Sequence, residues 1–265
     1  MKEKHSLTPC ADINVFLESF CEEIQSLLRD NLVGIYLFGS LVSGGFHEKS
    51  SDIDLFVAVH SLLQSTELDA LKHCHQKIEG KNQKWGKRLE CSYLPVIMLT
   101  SLLSSKDPRP YVNEGIFYEQ AHYGNEWIIN NYLLIHKSIP LIGPNFKTLM
   151  PPIPIAEVQK ACIRDLLQEW YPKINKSNWL DNSYYQAYLV LNLCHILYTV
   201  CFGKIGTKNE SAAWVKRTHG EPWNPLIESA QQWQLGKEMP YKKEAIQFTQ
   251  FVMREVKKVP LFKEF

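Results

Sequence analysis

The chain has 265 residues, 45% of them hydrophobic and 22% charged, which supports one large or two modest folded domains and excludes a disordered chain. Lys and Arg total 29 against 28 Asp and Glu, for a formal charge of +1, so no global field draws in a nucleic-acid backbone, and long nucleic acid is not an expected partner. The seven cysteines include no C-x-x-C pair and no secretory segment opens the chain, which reads as reduced thiols in a cytoplasm.

In chain order, residues 13–29 place Val15, Phe16, Phe20, Ile24, Leu27 and Leu28 near a helical period and predict a helix. The apolar runs 33–38 and 53–59 read as buried strands, with Ser43-Gly44-Gly45 supplying turn chemistry between them. A helix over 62–78, a basic loop over 81–88 and a third strand over 89–99 follow, the last holding Pro95 and therefore either an edge strand or one that ends there. A helix around 127–136 bridges to a proline-punctuated linker, in which 138–144 is apolar and serves to fold the linker. Beyond it the spacing predicts helices over 156–170, 184–202, 210–217, 222–234 and 241–257. The uncharged stretch 184–202 is long enough to span a bilayer, but Gln186, Asn192 and His195 interrupt it. A buried core helix is the better reading, and no membrane is expected as a partner. The order is an α/β (α+β) N-terminal domain with a small mixed sheet, residues 1–150, and an all-α C-terminal domain, residues 151–265.

The chemistry concentrates in Gly39-Ser40, Gly44-Gly45 and Ser51-Asp52-Ile53-Asp54. If 52–55 is strand, Asp52 and Asp54 project from one face while Ile53 and Leu55 take the other. Two carboxylates held together repel unless a cation lies between them, and rigid oxygen ligands suit Mg²⁺. Gly39 after a buried strand permits close backbone approach, and with the Ser40 and Ser51 hydroxyls can hold phosphate oxygens. Phosphate beside Mg²⁺ implies phosphoryl or nucleotidyl transfer. Gly-Ser is also a common turn pair and Asp-x-Asp a common strand-edge feature; the conjunction carries the reading. His73-Cys74-His75 has no second ligand cluster and reads as ordinary helix.

Gly39-Ser40, Gly44 and Ser51-Asp52-Ile53-Asp54 together resemble the signature of the polymerase-beta-like nucleotidyltransferases, and 33–55 with Leu89-Glu90 resembles the streptomycin and spectinomycin adenylyltransferases. The resemblance implies a nucleotidyltransferase fold followed by a helical substrate-binding domain, with ATP and Mg²⁺ as cofactors. It implies that Glu90 joins Asp52 and Asp54 at the metal and acts as general base, a role the chemistry also asks for, because a sugar hydroxyl attacks poorly until its proton is accepted. It implies that Lys208, in Gly203-Lys204-Ile205-Gly206-Thr207-Lys208, contacts nucleotide phosphates. Gly124-Asn125-Glu126-Trp127 is similar to a Gly-Glu-Trp segment lining the drug site, making Glu126 and Trp127 candidate substrate residues. One departure stands out: where drug-modifying members carry acidic residues and a histidine, residues 182–188 carry no carboxylate.

The expected function is transfer of AMP from ATP to a hydroxyl of an aminoglycoside-like small molecule by a monomeric enzyme, releasing pyrophosphate. Transfer to a protein or toxin–antitoxin partner, and a non-catalytic nucleotide-binding module, are the alternatives.

Overall fold

The computed structural model describes residues 7–49, 51–101, 108–234 and 236–265; the Lys2-Glu3-Lys4 opening lies outside the described residues. The chain divides into two compact units, one reaching to Phe46 with Ser51–Tyr123 and Asn130–Pro152, the other made of His47–Ser50, Gly124–Ile129 and Ile153–Phe265.

The first unit is built on a mixed sheet. Helix α1 (Ala11–Leu28) buries Ile13, Phe16, Leu17, Phe20, Ile24 and Leu28, an i, i+3, i+4, i+7 stripe, while Val15 is exposed. Strand β1 (Leu32–Phe38) leads through Gly39 into the single turn α2 (Ser40–Ser43), then to β2 (Ile53–Val59). Helix α3 (Ser65–Lys81) starts in a Gln64/Glu67 capping box and buries Leu71, Cys74, His75 and Ile78. The short α4 (Gln83–Gly86) turns the chain into β3 (Leu89–Pro95), which ends at the proline and passes into a 3-10 turn, Val96–Thr100. Strands β4 (Arg109–Asn113) and β5 (Ile116–Ala121) form a hairpin, helix α5 (Glu126–Lys137) follows, and β6 (Ile139–Ile142) returns to the sheet.

The strand order is β5-β4-β3-β2-β1-β6, with β2 and β3 parallel and every other pairing antiparallel. The segment expected to fold the linker is thus an edge strand, where Pro140 costs no ladder bond. One sheet face packs Ile35, Leu37, Ile53, Leu55, Val57, Leu89, Cys91 and Tyr93 against α1 and α3. On the other, Tyr36 and Phe56 are register partners, and the buried Phe146 ring meets both edge-on, with centroids 5.1 Å and 5.4 Å away.

The second unit is helical: α6 (Ile155–Asp165), a π-helical turn Leu166–Trp170, α7 (Tyr171–Lys173), a 3-10 stretch Ile174–Asp181, α8 (Ser183–Phe202), α9 (Lys208–His219), α10 (Asn224–Gln232) and α11 (Lys242–Val256). Helix α8 is its centre, packed by α6, α9, α10 and α11. It is capped by the Asn182 side chain and closed by Gly203 in the left-handed conformation. Among the described residues α8 is the one helix long and apolar enough to cross a membrane. Its buried Gln186 is satisfied inside the unit, donating to the Leu180 carbonyl at 2.7 Å and accepting from the Tyr241 N–H at 2.9 Å.

Phe146 holds the second face of the sheet together. Phe146→Ala is expected to cost about 3–5 kcal/mol, read as a lowered denaturation midpoint in urea; a loss below about 1 kcal/mol would show that the ring is not a core anchor.

Candidate active site

Strands β2 and β3 share a burial pattern: every residue is buried except the second, which is Asp54 in β2 and Glu90 in β3. The parallel register pairs these two with each other, so two carboxylates stand on one face of neighbouring strands, about 4.8 Å apart in backbone. The antiparallel register on the other side pairs Asp54 with Phe38, the last residue of β1.

Gly39 follows at once, with φ +70° and ψ −146°, a conformation open to glycine and costly for any side chain. An added Cβ there would overlap the Asp54 carboxylate. The glycine therefore makes the turn and leaves the space that Asp54 occupies. Ser40 opens α2 directly after it, with the Gly45 N–H returning to the Ser40 carbonyl at 3.1 Å.

Asp52 departs from expectation. The strand begins at Ile53, so Asp52 sits in the loop before it, and the period-two argument places Asp54 but not Asp52. This loop is tied to the start of β3: the Ile53 N–H donates to the Arg88 carbonyl at 2.8 Å, and the Arg88 guanidinium donates to the Ser51 carbonyl while lying 4.7 Å from the centre of the Trp85 ring. Arg88, read from sequence as part of a basic loop, fixes the entry to both carboxylate-bearing strands. Among the described residues no group of three or more His, Cys, Asp or Glu side chains is arranged to hold a metal ion. The register sets Asp54 and Glu90 side by side as a pair, with Asp52 in the loop that leads into β2. That pair fits Mg²⁺, which binds through one or two carboxylates and completes its shell with water and substrate phosphates.

The profile for "Nucleotidyltransferase domain" matches residues 15–99, and that for "Aminoglycoside adenylyltransferase, C-terminal domain" matches 148–257. The chain is a nucleotidyltransferase-domain protein carrying the C-terminal domain of the aminoglycoside adenylyltransferases. Its relatives include an aminoglycoside (3'') (9) adenylyltransferase of Shigella flexneri, 26% identical over 91% of this chain and 93% of that one. A spectinomycin 9-adenylyltransferase of Staphylococcus aureus is 26% identical over 72% of this chain and 73% of the relative. The fold is also that of a spectinomycin adenyltransferase from Enterococcus faecialis, solved with ATP and spectinomycin, at a TM-score of 0.73 and 20% identity over 92% of this chain and 98% of the other.

The remaining candidates of the adenylyltransferase reading lie in the helical unit. Lys208 is the first residue of α9, after a Thr207/Glu210 capping box, and its ammonium lies 4.9 Å from the centre of the Tyr188 ring. A cation at a helix N-terminus adds to the positive end of the dipole, so this position favours an anion nearby. Glu126 opens α5 and accepts the Gly124 N–H at 2.8 Å. Trp127 is 1% exposed, so its indole is interior packing. His75 is likewise interior, bonded to the Tyr93 hydroxyl at 2.7 Å, with burial pulling its pKa down to about 4.

Two features escaped the sequence reading. Trp170, Trp179, Tyr184, Tyr185, Tyr188 and Trp233 form one continuous aromatic cluster, successive ring centroids lying 5.2–6.4 Å apart; Tyr184-Tyr185-x-x-Tyr188 at the head of a helix was its signal. Beneath it, Asp165 accepts the Trp170 indole N–H at 2.6 Å. Burial pushes its carboxyl up to about 6, against the Trp170 hydrogen bond and with help from Glu126 and Glu169.

An acid whose native pKa is raised stabilises the fold below its unfolded pKa, and that contribution is lost as pH rises through the native value. For Asp165 the window runs from about pH 4 to 6, and the loss above it reaches about 3 kcal/mol at most. Asp165→Asn is expected to raise the melting temperature at pH 7.5, with the gain vanishing near pH 4. A variant equally or less stable across that range would contradict the placement.

Proposed function

We propose that the protein is a Mg²⁺-dependent adenylyltransferase that moves AMP from ATP onto a hydroxyl of a small aminated acceptor of the aminoglycoside class. The observation that carries this is the Asp54–Glu90 pair in register on adjacent parallel strands beside a glycine cut to fit Asp54. The domain pair and the named adenylyltransferases, one of them matched over 91% of this chain, support it. Neither a protein acceptor nor a purely nucleotide-sensing role draws support from those relatives.

Asp54 and Glu90, with Asp52 beside them, would hold Mg²⁺, which neutralises charge on the triphosphate and on the departing pyrophosphate. Glu90 accepts the proton of the acceptor hydroxyl as its oxygen bonds to the α-phosphorus. The bond from that phosphorus to the oxygen bridging to the β-phosphate breaks, and pyrophosphate carries away the electron pair. The Gly39 backbone and the Ser40 and Ser51 hydroxyls hold phosphate oxygens, and Lys208 supplies a point charge for them.

For the acceptor, residues 182–188 lack carboxylates, but Asp165 comes next to the same aromatic cluster through Trp170, with Glu126 and Glu169 close enough to raise its pKa. A carboxylate kept ionised at a stability cost, with tyrosine and tryptophan faces beside it, suits an ammonium group.

Purified protein incubated with ATP, Mg²⁺ and a panel including spectinomycin and streptomycin is expected to add one AMP to at least one member by mass spectrometry, with one pyrophosphate released per transfer. No adduct on any member, or label on a protein band instead, would overturn the reading. Asp54→Asn is expected to lower turnover about a hundredfold or more with melting temperature unchanged or raised, since it removes one of two facing charges. Lys208→Ala should raise the KM for ATP about tenfold and leave kcat within about threefold.

A further inference from the structure

The base Glu90 has a partner that the catalytic reading does not use. Strand β4 pairs with β3 so that Tyr111 stands opposite Ser92 and Val112 opposite Cys91. Val112 is buried with the core beneath the sheet, which puts Tyr111 on the other face with Ser92, Glu90 and Asp54. From a position opposite Ser92, an aromatic side chain reaches the diagonal neighbour two residues along β3. There the Tyr111 hydroxyl donates to the Glu90 carboxylate.

The ring has little freedom. It stacks on Tyr118 of β5 at a centroid separation of 6.3 Å. The guanidinium of Arg109, 5% exposed, lies 4.9 Å from the centre of the Tyr111 ring and 3.3 Å from that of Tyr123. Arg109 is itself fixed, donating to the Ala121 carbonyl at 3.1 Å and to the Ser92 hydroxyl at 3.5 Å. The chain of contacts runs from a locked arginine through a locked ring to the carboxylate oxygen of the base.

We propose that Tyr111 is a positioning residue for the transfer reaction: its hydroxyl occupies one lone pair of Glu90, fixes the rotamer of that carboxylate, and aims the remaining lone pairs at the incoming acceptor hydroxyl. Arg109 acts one step further back by holding the ring. This rests on the adenylyltransferase reading for its consequence, whereas the contact itself does not. The bond is made in the ground state and in the transition state alike, but the orientation it confers matters where the proton moves, so its loss should fall on kcat.

Tyr111→Phe keeps the ring and removes the donor. With the acceptor that gives the strongest transfer, its kcat is expected to fall about 5- to 30-fold, with KM for ATP and for acceptor each within about twofold of wild type. A kcat within twofold of wild type overturns the proposal. A second measurement does not depend on any acceptor: a thermal double-mutant cycle of Tyr111→Phe with Glu90→Ala. Tyr111→Phe should lower the melting temperature in the wild-type background and leave it nearly unchanged in the Glu90→Ala background. Additive shifts overturn the proposal. If the wild type transfers AMP to no acceptor, the functional reading fails, and the cycle alone decides whether Tyr111 is coupled to Glu90.

Discussion

The candidate site depends on the pairing of β2 with β3. Among the described strands it is the one parallel pairing, and its register puts Asp54 directly beside Glu90. Shifting that register by one residue would send one carboxylate into the apolar face packed by α1 and α3, where Ile53, Leu55, Leu89 and Cys91 now lie. The core therefore fixes the geometry of the candidate site: the same alternation that packs the odd-numbered residues against the helices aligns the two acids on the opposite face. Like charges so placed repel, and under the proposed function a cation and a triphosphate answer that charge.

Around the pair, each neighbour has a separate task. Gly39 vacates the volume that Asp54 fills. Arg88 ties the loop carrying Asp52 to the head of β3. Tyr111, held by Arg109, reaches Glu90 from the strand on the far side. None of the three supplies a reacting atom, yet together they determine where two carboxylates and a loop come to rest. The helical unit follows a different logic, with a half-buried central helix, α8, presenting aromatic rings at its N-terminal end beside a partly buried carboxylate from α6.

Most of the frame was legible from apolar patterning. The runs at 33–38 and 53–59, the stripe of α1 and the long apolar helix α8 each bury enough side chain for the pattern to survive single polar interruptions. Three strands were not legible. The face of β5 is largely exposed and shows no alternation, β4 carries Pro110, and β6 has four residues with a proline among them. The turn joining β4 and β5 did carry a signal, since Glu114 and Gly115 both take positive φ, and a two-residue loop ending in glycine between apolar pairs is hairpin chemistry. Missing that hairpin hid Tyr111, which has meaning only once β4 is set beside β3. Asp52 lies one residue before the ladder starts, where strand periodicity no longer fixes the direction of a side chain. Trp127, singled out by a motif-like neighbourhood, is 1% exposed, a burial that the motif alone does not convey.

The most direct measurement of the central claim is a crystal of the protein grown with Mn²⁺ and a non-hydrolysable ATP analogue, with the cation located by its anomalous scattering. The account predicts a cation peak within about 2.0–2.3 Å of a carboxylate oxygen of Asp54 and sharing its shell with the triphosphate. A nucleotide whose cation lies away from both Asp54 and Glu90 would contradict it.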